Sequence, residues 1–524
     1  MINLSLSCPG FDNEQFELAF MAADFERCHE LIGATEGPGT ELARARLALR
    51  EYRPVDVVGS LSGSSKSWGE AGPTRDVLLG AALGLTRDFT GGGRLINRAL
   101  QTLAVGDPRH DDALYYKALI AWMRHDYLEA EEAAGATLTS QVANHRARAR
   151  ILLSWVALRR GDVLGQVEEL QRALDELETA VVPDQFLRAN ALYTLAALCR
   201  ELPLHDVAQR VRTIYEALPW TKGLKLEHFQ VTRLLAAIEE LAGNELAAFA
   251  GFRKATRLAP SDHWSVLCHL DRAMLAKNTG EMAFAAEQLQ EAYEIAQRLS
   301  WSEAAGEERS ALLVLAELFA HGDAAIAEQF LARFRTLSSS VIPILSYGTD
   351  PRVKGFEAYT QGVAWLRLGD VGEGKAALNE AWSIFENFSY AWRAALCAMA
   401  LYDATQDRRW IQQAAKRIEP WPRSWIARRI AEMGNTPVVR LDRIPRAKRE
   451  VLELVRAGRR NSEIATMLGR SPNTVRNQLA SLFRAFNVRS RAELIASLSK
   501  PLPAPLASLE QHRRRRRANQ AGIL

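Results

Sequence analysis

Along most of the chain apolar residues recur three and four positions apart, as in ARILLSWVALRRG (149–161) and GVAWLRLGD (362–370). That period turns one side of a helix toward a core, and no sustained apolar/polar alternation predicts a sheet. Each such segment meets a short polar turn before a second amphipathic segment starts. LRRGDVLGQVEELQRAL (158–174) shows the unit: Gly161 can supply a left-handed stop, Asp162 can cap the next helix, and the apolar spacing resumes.

The same punctuation falls at Asp24, Asp56, Asp88, Asp126, Asp162, Asp206, Asn244, Glu281, Asp323, Asp370 and Asp407, at intervals of 32, 32, 38, 36, 44, 38, 37, 42, 47 and 37 residues. A pattern of that period predicts an array of helical hairpins. Small residues follow the turns in DYLEAEEAA (126–134), DAAIAEQFL (323–331) and DVGEGKAAL (370–378). On these features residues 10–430 resemble a degenerate tetratricopeptide array, best in AWLRLGDVGEGKAAL (364–378), although the fuller W-x-x-L-G-x-x-Y pattern is not repeated cleanly. One hairpin cannot bury its apolar stripe alone, so neighbours stack into a superhelix with a concave inner surface. The resemblance implies that this surface binds a peptide, a partner protein or a small molecule.

All twelve tryptophans fall in this region. Trp122, Trp155 and Trp365, at helical spacing before their turns, read as packing between helices. Trp382, Trp392, Trp410, Trp421 and Trp425 cluster late and are the candidates for a contact surface.

The pattern changes after MGNTPVVRLDRIP (433–445), where Gly434, Asn435, Pro437 and Pro445 break the helical period and predict a linker over 434–443. RAKREVLELVRAG (446–458) then predicts a helix with Val451, Leu452 and Val455 inward and Gly458 as its stop. Asn461 can cap a short helix with Ile464, Ala465 and Leu468 inward, closed by Gly469. Ser471 can cap the next, with Pro472 at its first position. In that helix Val475, Leu479, Leu482 and Phe486 form one stripe, while Asn473, Thr474, Arg476, Asn477, Ala480 and Arg484 face the other way. A short helix, a tight turn and a second helix with a polar, cationic outer face make a helix-turn-helix suited to the DNA major groove.

Residues 444–498 resemble the C-terminal DNA-binding domain of LuxR-type transcription regulators. The resemblance rests on Glu450-Val451-Leu452, Gly458, Asn461 to Ala465, Leu468, Ser471, Thr474-Val475, and Val488 with Arg491 ahead of a fourth helix. It implies a scaffold helix over 462–468, a recognition helix over 472–486, and pairing of two protomers through Arg491, Leu494, Ile495 and Leu498. Three departures stand out. The family's opening Thr-x-Arg-Glu is Pro445, Arg446, Ala447, Lys448 here; its recognition-helix His is Gln478; its Lys-Leu pair is Ala485-Phe486. The Lys after Thr-Val is kept in charge as Arg476. Arg can bond guanine in bidentate fashion and Asn adenine, so base reading is assigned to Arg476 and Asn477. Thr474, Arg484, Arg470 and Asn461 suit phosphates, with Ser471, Asn473 and Ala480 completing the DNA-contacting set.

Charge follows the same division. Residues 440–500 hold fourteen Lys/Arg and five Asp/Glu, giving +9; residues 501–524, with the run Arg513 to Arg517, give +4. In a chain of net +4 this leaves −9 for residues 1–439. A basic end on an acidic body is the electrostatic footprint of a polyanion-binding module. The Pro-rich, Arg-rich stretch 500–524 reads as a disordered basic tail.

Other chemistry finds little support. Five cysteines lie far apart without a C-x-x-C pair, so neither a disulfide framework nor a zinc cluster is predicted. VDVVGSLSGSSKSWG (55–69) approaches a phosphate-binding loop, but Ser60 and Ser65 stand where it needs glycine. His263 and His269 lack the spacing of a metal pair on one helix face, and neither an H-E-x-x-H nor a G-x-S-x-G motif occurs. No catalytic residue, metal or cofactor is predicted. The opening MINLSLSCPGFDNE lacks the basic and apolar regions of a secretory signal, and no apolar run reaches the roughly 18 residues of a spanning helix, so a cytoplasmic location is expected.

The expectation is therefore an all-α chain: a tetratricopeptide-like superhelix over 1–433, a linker, a small four-helix LuxR-type helix-turn-helix domain over 444–499, and the tail. Such a chain would be a transcription regulator working on double-stranded DNA as a homodimer. RNA polymerase and an unknown peptide, protein or small-molecule effector are its candidate partners. Two rival readings are a promoter-recognition factor resembling sigma region four, which shares the EIA…TVR core, and a repeat-based protein–protein scaffold.

Overall fold

The computed structural model describes residues 11–33, 36–63, 68–301, 309–320, 322–337, 351–435, 446–456, 459–486, 490–491 and 494. These residues form 26 α-helices and no strand. The first 22 pair as hairpins: α1 (Asn13–Met21) with α2 (Phe25–Ile32), α3 (Pro38–Arg50) with α4 (Pro54–Ser62), α5 (Gly72–Leu85) with α6 (Phe89–Thr102), α7 (Pro108–Met123) with α8 (Tyr127–Thr137), and α9 (Ala143–Arg159) with α10 (Val163–Thr179). Then come α11 (Gln185–Glu201) with α12 (His205–Ala217), α13 (Lys225–Ala242) with α14 (Glu245–Leu258), α15 (Asp262–Thr279) with α16 (Met282–Arg298), α17 (Ser310–Ala320) with α18 (Ala324–Leu337), α19 (Pro351–Leu368) with α20 (Val371–Asn387), and α21 (Ala391–Thr405) with α22 (Arg408–Ile418). A last body helix, α23 (Trp425–Asn435), completes this region.

The hairpin turns explain why an acid recurs. In the α9–α10 turn, Gly161 takes φ +80°, the Asp162 amide donates back to the Ala157 carbonyl at 2.9 Å, and Asp162 Oδ1 accepts the Gly165 amide at 2.8 Å. The same geometry recurs at Asp24, Asp88, Asp126 and Asp370. One aspartate thus closes the first helix and caps the second. Two positions differ from the sequence reading. Asp56 and Asp206 lie inside the first turns of α4 and α12, whose caps are Arg53 and Leu204; Pro54 at the first position of α4 starts that helix instead.

The first helices of most successive hairpins pack on one another, as α5 on α7, α11 on α13 and α17 on α19. Contacts also reach between hairpins far apart in sequence. Thr221 Oγ1 donates to the Ala23 carbonyl at 2.8 Å, and Lys222 pairs with Glu26. Arg393 on α21 makes a bidentate pair, buried on both sides, with Glu201 on α11. Arg428 on α23 pairs with Glu245.

The sequence breakers Gly434 and Asn435 still belong to α23, and the remaining linker positions lie outside the described residues, as does the tail. Beyond them, α24 (Arg446–Arg456), α25 (Asn461–Leu468) and α26 (Pro472–Phe486) close around Val451, Leu452, Val455, Ile464, Val475, Leu479 and Leu482. Of the fourth helix only Arg491 and Leu494 are described. No helix among the described residues is long and apolar enough to cross a membrane.

Candidate functional site

In the end module the α25–α26 turn sets the face that α26 presents. Gly469 ends α25 at φ +61°, the Arg470 amide bonds the Ala465 carbonyl at 2.8 Å, and Ser471 Oγ accepts the Thr474 amide at 3.1 Å. The burial of Val475, Leu479 and Leu482 fixes the register, which leaves Asn473, Thr474, Arg476, Asn477 and Ala480 exposed, with Ser471 beside them. These side chains share one face of an amphipathic helix whose other face is core. The side chains of Arg484 and Phe486 lie outside the described residues.

Other members of the sequence-predicted set are turned inward. Arg470 donates from Nη1 to the Ala447 carbonyl at 2.8 Å and to Gln478 Oε1 at 3.2 Å, and from Nη2 to Glu450 at 2.8 Å. It ties the turn to α24 and α26, so its guanidinium holds the module together where the sequence suggested a phosphate ligand. Gln478, the departure from the family's His, is part of that staple. Asn461 is the first residue of α25 rather than its cap: the cap is Arg460, whose amide donates to Glu463 at 2.9 Å, and Asn461 Oδ1 accepts from Arg491 at 3.2 Å. Leu494 is fully buried against the module's own core, and Ile495 and Leu498 lie outside the described residues.

Residues 446–498 match the family model for bacterial regulatory proteins, luxR family. The matched segment is thus a luxR-family domain, which supports DNA-binding regulation, and α26 is the helix that follows its turn. No curated protein sequence matches the chain. Among solved structures, a Rap protein in complex with competence and sporulation factor has a TM-score of 0.38 at 12% identity, covering 80% of this chain and 99% of that one. The apo form of RapI gives 0.35 at 13%, covering 80% and 99%. The APC/C hetero-tetramer Cut9–Hcn1 gives 0.23 at 14%, covering 80% and 95%.

Away from the luxR-family domain, the body holds a half-open cavity of about 330 Å³, lined mostly by the first helices of the early hairpins. Arg46 and Arg50 of α3, Tyr115 and Tyr116 of α7, Arg148 of α9 and Phe186 of α11 are in its wall. Each arginine lies over a ring: Arg46 is 4.2 Å from the Phe20 centroid, Arg50 is 4.7 Å from Phe186, and Arg148 is 4.1 Å from Tyr115. Each is also paired with a carboxylate, Glu17, Asp184 and Asp112 respectively. Against the opposing effect of burial, Arg148, His145 and Arg46 pull the Asp112 carboxyl down to about 2, so this pair stays charged.

Sequence reasoning missed this wall because its residues come from helices far apart in the chain. The available signal was arginine on the inward side of α3 and α9, where the period calls for apolar residues. Trp122 and Trp155, read as packing, pack on each other at 5.4 Å and also line the cavity. Of the late tryptophans, Trp392 and Trp421 are buried with Ile411, Ile418 and Ile426, while Trp382, Trp410 and Trp425 are half-buried against that core, Trp382 meeting Trp410 edge-on at 5.5 Å. Ser140, His145 and Asp111 also come together, but all three are buried, and the Ser140 hydroxyl donates to Asp111. No group of three metal-ligating side chains occurs among the described residues.

Proposed function

We propose that the chain is a transcription regulator whose repeat body, ending with α23, binds an effector or partner and thereby controls how the luxR-family domain engages DNA. The observation that carries the reading is the exposed face of α26, with Arg476 and Asn477 at its front and a fully buried stripe behind, inside the segment matched to the luxR family. Such a face enters the major groove with Arg476 and Asn477 toward base edges and Ser471, Asn473 and Thr474 toward the backbone. With Leu494 in the core, pairing of two protomers falls to the segment carrying Ile495 and Leu498, and it presents two recognition helices to two half-sites. Effector binding then shifts the balance between states that can and cannot pair on DNA.

The test is selection of binding sites from random duplexes with the intact protein at one stated salt concentration. A single enriched motif, lost or relaxed in Arg476→Ala, supports site-specific regulation. Recovery of no motif overturns it.

A further inference from the structure

We propose that the cavity in the repeat body binds a small organic anion with a flat apolar body, its acid group held by Arg50 and Arg148. This rests on the reading of the body as an effector-binding element and names the chemical class of the effector.

Charge is the first argument. The charged residues lining the cavity are Arg46, Arg50, Arg148, Arg159 and one carboxylate, Glu227. Glu17, Asp184 and Asp112, which pair with the first three arginines, are not in the lining. Each of these three ion pairs therefore has its guanidinium in the cavity lining and its carboxylate outside it, and the stacking of each guanidinium on a ring fixes its plane in advance of a ligand. A planar, pre-set guanidinium favours carboxylate, sulfonate or phosphate oxygens over a single point charge.

Size and shape are the second. A half-open cavity of about 330 Å³ lies at the small-molecule end of ligand pockets. The rings of Tyr115, Tyr116, Trp122, Trp155 and Phe186 offer flat apolar contact to the rest of the ligand.

The experiment uses full-length protein and two fluorescent probes that share one body: 8-anilinonaphthalene-1-sulfonate, an aromatic anion, and N-phenyl-1-naphthylamine, which lacks the sulfonate. The anionic probe should saturate at one per chain and bind at least about tenfold more tightly than the neutral one. Arg148→Gln combined with Asp112→Asn, which leaves no carboxylate without its partner, should remove that preference while the protein stays folded by circular dichroism. Ala197→Trp, which fills the cavity and leaves every arginine in place, should abolish both; Asn190→Phe serves the same purpose if Ala197→Trp does not fold by circular dichroism. Equal affinity for the two probes, or anion binding that survives the filled cavity, overturns the proposal. Saturable anion binding that leaves DNA affinity unmoved supports this site and counts against effector control of the luxR-family domain, so the two readings fail separately.

Discussion

In the repeat body, Arg46, Arg50 and Arg148 each pair with a carboxylate, lie over an aromatic ring and stand in the wall of a half-open cavity. In the luxR-family domain, Arg476 stands exposed on α26, six positions after Arg470, which is spent on Ala447, Gln478 and Glu450. The guanidinium is the same and its surroundings decide its use. Half-buried and paired, it is a charge that salt screens little; exposed, it is a charge whose attraction for a polyanion falls as salt rises. Between these limits it acts as a structural tie.

The comparison can be broken most severely at Arg393, the most buried tie, paired with Glu201 and 3.6 Å from the Phe356 ring. Arg393→Ala should lower the stability of the body by about 3–5 kcal/mol in denaturant unfolding, because the Glu201 carboxylate is left buried alone; Arg393→Met with Glu201→Leu should restore most of it. Arg470→Ala should cost the luxR-family domain about 2–3 kcal/mol of stability, since charge-assisted bonds to three partners are lost. It should leave the salt slope of DNA binding unchanged; a slope shallower by about 1 would return Arg470 to phosphate contact. Arg476→Ala should do the reverse, keeping the melting temperature and losing about 1–3 kcal/mol of specific binding. Smallest is Gly161→Ala, expected to cost about 1 kcal/mol by unfolding, because the position is left-handed but an added Cβ meets nothing.

Much of this architecture was legible in the residues. The aspartates betray the hairpins because one side chain serves both helices, and the stripe Val475, Leu479, Leu482 orients α26 before any coordinates are known. What was illegible depends on partners distant in sequence. Arg470 reads as a phosphate ligand until Glu450 and Gln478 are found beside it. Leu494 reads as an interface residue until the core of α24 to α26 is seen to need it. The late tryptophans look like a display because aromatic clustering has the same sequence signature in a core and on a surface. The cavity was hidden for the same reason: Arg50 and Asp184 lie 134 residues apart, and either alone looks like one more charge on a solvated helix.

Gly223 and Gly243 mark where this array differs from an open solenoid. A Cβ on Gly223 would overlap the Ala23 carbonyl, and one on Gly243 the Arg423 carbonyl, so hairpins many repeats apart touch backbone to backbone. Open arrays, in which each unit meets only its neighbours, can gain or lose a unit by duplication or deletion in the gene. Here, removing one hairpin between α3 and α20 would carry Ala23 away from Gly223, or Arg393 away from Glu201. The hairpin number is therefore tied to contacts that no single repeat contains.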